Sequence, residues 1–208
     1  MFINIVMFKI FKNEFKDNNF LSKTQFNNHQ IIYNNYKNNL NLFLIEKKIF
    51  LKNKLELIDI VSDLPENEKN QFSYILGGYL NHEYFFKNIS FNKNFCFGEI
   101  KNKILKTFDS YQNFEFNFIK CLQNFIGWGW VVINNNKLCI LKTYENNNPM
   151  YPISLGGFNS VPLLCIDLHE HSYIIDYMNN KELYLSNFLK NINWYEVENR
   201  YQNYLLNI

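Results

Sequence analysis

The run Asp167-Leu168-His169-Glu170-His171 gathers two of the chain's four histidines and two carboxylates into five positions. Residues four apart share one face of a helix or of a helix start, so Asp167 and His171 can reach a common ion. His29 and His82 stand alone far upstream. Three imidazoles and one carboxylate form a donor set for iron or manganese, because imidazole suits iron and carboxylate suits manganese. The spacing by itself is a weak signal, since an Asp and a His four apart occur often by chance. A solitary histidine is more often a satisfied core or surface imidazole than a ligand. The surrounding residues have to decide.

Four ordered blocks do so. Val161-Pro162-Leu163-Leu164-Cys165-Ile166-Asp167-Leu168-His169-Glu170-His171-Ser172-Tyr173 resembles the iron/manganese superoxide dismutase signature, a P-L-L segment leading into D-x-W-E-H-A-Y. Asn81-His82-Glu83-Tyr84-Phe85-Phe86 resembles the family's N-H-x-x-F-W element, and Gly127-Trp128-Gly129-Trp130 its G-W-x-W element. Asn191-Ile192-Asn193-Trp194 is similar to the V-I-N-W run of its closing helix. The resemblance runs from roughly Phe11 to Tyr201, a span that holds all four histidines.

The resemblance implies one iron or manganese ion per subunit, held by His29, His82, Asp167 and His171, with superoxide as substrate. Around it the resemblance places Tyr36 as a hydrogen-bonding tyrosine, Trp128 in the aromatic sheath, and a glutamine-like amide. At the helix position for that amide the chain has Gly78, as manganese types do. The sheet-side loop offers Asn146 or Asn147, a shorter amide, so the metal stays undecided. Glu170 is expected to cross a two-fold interface to the partner's His171, making a homodimer. His29 aligns from Leu21-Ser22, but aligning back from Tyr36 leaves a one-residue deletion between them. On a regular helix one residue is about 100°, so either an irregularity absorbs the gap or one of the two groups is displaced.

Several positions depart from the pattern. His169 replaces a tryptophan and reads as a packing substitution, since on a helix a residue two from His171 points away. Leu80 and Phe86 replace sheath aromatics, Tyr33 a histidine, and Ile174 a gateway tyrosine. Lys181 stands near a conserved arginine. This erosion supports a rival reading: a structural subunit of a larger assembly such as a mitochondrial ribosome, with weakened or lost activity.

The elements that must position these residues are legible in the pattern. Ser22 can cap a helix running toward Leu51, with apolar positions at Phe26, Tyr33, Tyr36, Leu40 and Leu44. Asp63-Leu64-Pro65 marks a turn, and a second helix spans about Glu68 to Ile89. Helices near Glu99–Thr107 and Tyr111–Phe125 precede strands at Trp128–Ile133 and Leu138–Thr143, joined by Asn134-Asn135-Asn136. Pro149–Ser160 reads as loop and Pro162–Asp167 as a buried third strand, with helices from Glu170 onward. The fold class is therefore α+β: an N-terminal α-helical hairpin (residues 1–92), then an α+β domain with a three-stranded antiparallel sheet (residues 93–208).

Composition narrows the classes further. At 208 residues and 47% hydrophobic the chain can bury a sizeable core. A formal charge of +2, with Arg200 the sole arginine, argues against direct nucleic-acid binding, unless the ribosomal alternative holds. No run approaches a membrane span. The four cysteines lack C-x-x-C spacing and read as reduced thiols. Met1–Lys12 has no small-residue cleavage pattern, so the expectation is the mitochondrial matrix or cytoplasm, not secretion.

Overall fold

The computed structural model describes residues 8–9, 15–16, 18–51 and 56–207, so most of the Met1–Lys12 segment lies outside it. Helix α1 (Lys23–Glu46) starts where Ser22 accepts the Gln25 N–H. It packs along α3 (Glu66–Lys87), with α2 (Glu56–Asp63) between them in sequence. The α1–α3 seam is aromatic: Phe43 meets Phe72 with ring centroids 4.9 Å apart, and Phe26 meets Phe86 at 5.3 Å. The expected hairpin is present, with α2 as an addition. Its eight residues fall in the stretch between the two long helices, too short for periodicity to single out.

Helices α4 (Gly98–Phe108) and α5 (Tyr111–Leu122) lead into strands β1 (Trp128–Asn134), β2 (Lys137–Thr143) and β3 (Val161–Asp167). All pairing is antiparallel, in the order β2-β1-β3. The tight β1–β2 turn places Asn135 and Asn136 at φ of 46° and 61°, a left-handed bearing that asparagine tolerates. Pro162 has no N–H to donate, so it sits on the edge strand, where β1 shifts register between Val131 and Val132. Central β1 is buried along six of its seven residues, which explains its near-continuous apolar run. The short helix α6 (Ile174–Tyr177), α7 (Lys181–Lys190) and α8 (Trp194–Leu206) complete the chain. The α+β class with its three-stranded antiparallel sheet is as expected.

Asn88, after α3, ties the helical hairpin to the sheet. Its Oδ1 accepts the Cys165 N–H of β3 at 3.0 Å and the Arg200 guanidinium of α8 at 3.1 Å. Ile89 and Ile192 form an isolated bridge beside it. Among the described residues no helix is long and apolar enough to cross a membrane, and Cys96, Cys121, Cys139 and Cys165 are free thiols.

Candidate metal centre

Four side chains from three separate parts of the fold converge between the helical hairpin and the sheet. His29 comes from α1, His82 from α3, Asp167 from the end of β3, and His171 from the short turn beyond it. One donor atom from each lies within 4.8 Å of every other. Asp167 Oδ2 is 3.0 Å from His29 Nε2, 3.0 Å from His171 Nε2 and 3.9 Å from His82 Nε2. His29, His82 and Asp167 are essentially fully buried, whereas His171 keeps about a third of its side chain exposed.

The surroundings suit a cation. His82 Nε2 is buried with no hydrogen-bond partner, an arrangement that costs free energy unless something accepts the lone pair. The other nitrogen, Nδ1, lies 2.6 Å from the Gly78 carbonyl, which fixes the ring and leaves Nε2 free for coordination. Burial, and next the charge His29 would carry, hold His82 down at about 3. Burial also lowers His29. Both imidazoles are thus neutral near pH 7, the form that binds metal. Burial opposes the Asp167 charge, but hydrogen bonds from His169, His171 and His29 win and hold its carboxyl well below the usual range. Burial likewise opposes charge on His171, and contact with Asp167 outweighs it, so that histidine is raised. A concentrated anion thus faces two neutral rings.

Position along the backbone is equally specific. The Asp167 carbonyl accepts hydroxyls from Ser172 and Tyr184, each at 2.9 Å. Gln25, buried one turn before His29, donates to the His171 carbonyl at 2.6 Å and accepts the Ile175 N–H at 3.0 Å. Nothing in the sequence singled out Gln25, although its place four residues before His29 put it on the same helix face.

The expected supporting groups are also here. Trp128 is fully buried, its ring 4.9 Å from that of His82. Tyr36 lies with its ring 5.3 Å from His82. Its hydroxyl lies 3.5 Å from that of Tyr74 and in hydrogen-bonding contact with the Asn146 side chain. Burial, with Tyr74 beside it, pushes Tyr36 up to about 12, so the phenol keeps its proton. Of the two loop amides, Asn146 is the one beside Tyr36, while Asn147 lies against Gly156. Asn81 holds this loop, donating to the Asn146 carbonyl at 3.3 Å and accepting from Asn148 at 2.8 Å. Tyr33 stacks on His82 and Phe86.

Three expectations need correction. Asp167 ends β3, as the strand reading of Pro162–Asp167 has it, but it shares no helical face with His171, which sits in a three-residue 3-10 turn. They meet because the chain folds back between them. For the same reason His169 does not point away. It is extended, with φ −74° and ψ 151°, and its ring returns to Asp167 with Nδ1 2.7 Å from Oδ1. Finally, α1 is unbroken from Lys23 to Glu46 yet presents both His29 and Tyr36. Seven residues span two turns to within about 20°, so a regular helix turns both toward the same pocket. Lys181 is also more constrained than a free rim charge: its ammonium donates to the Phe125 and Leu168 carbonyls at 2.7 and 3.1 Å. Glu170 is exposed at the surface beside His171.

Sequence comparison gives the chain's relatives. A family profile for the C-terminal domain of iron/manganese superoxide dismutases matches residues 97–200. The chain is 30% identical over 173 residues to a superoxide dismutase [Mn] of Buchnera aphidicola, covering 82% of this chain and 84% of that protein. It is 29% identical over 169 residues to the superoxide dismutase [Mn] of Escherichia coli O157:H7, covering 80% and 82%. To the superoxide dismutase [Fe] of Plasmodium falciparum it is 40% identical over 100 residues, 47% of this chain and 48% of that one. With a profile over half its length, and close to a third of its residues shared across four-fifths of it, this chain belongs to the iron/manganese superoxide dismutase family.

Proposed function

We propose that this chain is an active superoxide dismutase using one iron or manganese ion held by His29, His82, Asp167 and His171. The observation that carries the reading is the convergence of one ring nitrogen from each of three histidines and one carboxylate oxygen within 4.8 Å. The reaction converts two superoxide anions and two protons to one dioxygen and one hydrogen peroxide. A bound ion supplies a one-electron couple for it, and the rest falls to the chain. His29, His82 and His171 contribute neutral donors, and Asp167 a charge that offsets part of the cation's. Trp128, Tyr33, Phe85 and Phe86, all buried, exclude water from the helix and sheet sides. Tyr36, protonated to about 12, and Asn146 offer hydrogen-bond donors where substrate or solvent meets the site.

The intact donor set supports the enzyme over a scaffold subunit, because a scaffold has no use for a buried imidazole nitrogen without a partner. The homodimer is part of the same proposal. Glu170 is exposed next to His171, and Ile174 and Ile175 beside it are also exposed, so a two-fold partner would cover apolar surface and pair the carboxylate with the ligand histidine. Elemental analysis of the purified protein, with superoxide decay followed by stopped flow before and after metal removal, tests the assignment. About one iron or manganese per chain, with activity lost on stripping and regained on reloading, is expected. Full metal occupancy without activity would overturn it.

A further inference from the structure

Asp167 divides its two oxygens between different tasks. Oδ2 faces the three ligand histidines, while Oδ1 receives the His169 backbone N–H at 2.9 Å and the His169 ring Nδ1 at 2.7 Å. An ionised carboxylate only accepts hydrogen bonds, so the ring nitrogen at 2.7 Å carries the proton and donates it. This contact depends on a histidine at this position: a tryptophan there would have no ring nitrogen at the same branch point. The ring is held in place from both sides, parallel to His171 at 5.4 Å and edge-on to Trp128 at 5.8 Å.

We propose that His169 is a positioning residue that holds Asp167 in its ligating orientation and sets the reduction potential of the bound ion. The inference rests on reading the four-residue cluster as the metal site. Two donors on one oxygen fix the carboxylate plane, so Oδ2 meets the cluster without a choice of rotamer. They also draw electron density from the carboxylate, making Oδ2 a weaker donor. Weakening an anionic donor takes more stabilisation from the oxidised ion than from the reduced one, so the His169 bond raises the midpoint potential. Partners of this kind typically change metal affinity by about 10–100-fold.

The test compares metal-loaded wild type with His169→Phe and His169→Asn by redox titration and by metal release to a chelator. Phenylalanine keeps an aromatic ring for the stack and removes the donor. Asparagine loses the ring but carries an N–H at the same branch point as Nδ1. The proposal expects His169→Phe to lower the reduced-to-oxidised ratio about tenfold at fixed potential, about 59 mV for one electron, and to release metal faster. His169→Asn should restore both toward wild type. A role in packing alone predicts the opposite ranking. A midpoint unchanged in His169→Phe, or shifted as far in His169→Asn, overturns the proposal and leaves the metal site standing. A wild-type protein that takes up no metal overturns the site and this inference together.

Discussion

Gly78→Ala sets two opposed effects against each other beside the candidate metal site. In the interior of α3, alanine should stabilise the helix by about 0.8–1.0 kcal/mol over glycine. The tertiary structure reverses that expectation. A Cβ at Gly78 would lie 2.4 Å from Cδ1 and Cε1 of Tyr36 and 2.7 Å from Cγ. Ordinary carbon contacts are about 3.5–4.0 Å, so the ring must retreat by about 1 Å. Because Cγ is among the crowded atoms, turning the ring about its own axis gives no relief, and Tyr36 has to change χ1 or push α1 away. Overpacking of this kind costs about 1–3 kcal/mol, and moving the hydroxyl from Asn146 costs about 1 kcal/mol more. The net effect is a loss of about 1–3 kcal/mol. At 2–4 °C per kcal/mol for a chain of this size, the melting temperature falls by roughly 2–12 °C. The control is the same change in a Tyr36→Ala background, where no ring opposes the Cβ and helix propensity alone remains. There Gly78→Ala should raise the melting temperature. Calorimetry of the four proteins closes the cycle. A Gly78→Ala protein that melts higher than wild type, or an equal fall in both backgrounds, would refute the reasoning.

Four further outcomes are expected. His82→Ala and Asp167→Ala should each lose the ion on dialysis, checked by elemental analysis; full occupancy in either would show the donor set to be wrong. Glu170→Ala should weaken the proposed dimer: loss of two symmetric charged hydrogen bonds of about 1.5–3 kcal/mol each would raise the dissociation constant about a hundredfold or more, which light scattering across a dilution series would detect. Superoxide decay should slow as salt is raised, because the substrate is an anion and Lys181 places a cation beside the site; a rate indifferent to ionic strength would remove the steering role. Metal-free protein should lose stability to denaturant between pH 7 and 5. His82 takes its proton near 6.5 when unfolded but only near 3 when folded, so its contribution is whole above about 6.5 and is lost progressively below that. The lowered His29 adds in the same direction and the raised His171 opposes it, so a stability that rises toward pH 5 would count against the buried neutral pair.

The sequence by itself determined the donor types, the family and most of the elements that carry them. Helical spacing marked α1 and α3, the run Asn134-Asn135-Asn136 marked the β1–β2 turn, and two of the ordered motifs pointed to His82, Asp167 and His171 as candidate donors. Only the tertiary structure decided how these residues face one another. His29 and Asp167 are 138 positions apart, and their 3.0 Å approach depends on α1 packing against α3 and on the turn after β3. The ring of His169 returns to Asp167 because the backbone there is extended, which a helical reading of the same five residues had turned the other way. Asn146 rather than Asn147 meets Tyr36 because Asn81 and the bare backbone at Gly77 let the loop sit against α3, where a Cβ would come within 1.8 Å of the Asn146 carbonyl. Residue type and spacing specify what a side chain can do. Its direction follows from backbone dihedrals and from neighbours distant in the chain, and those are set only when the fold closes.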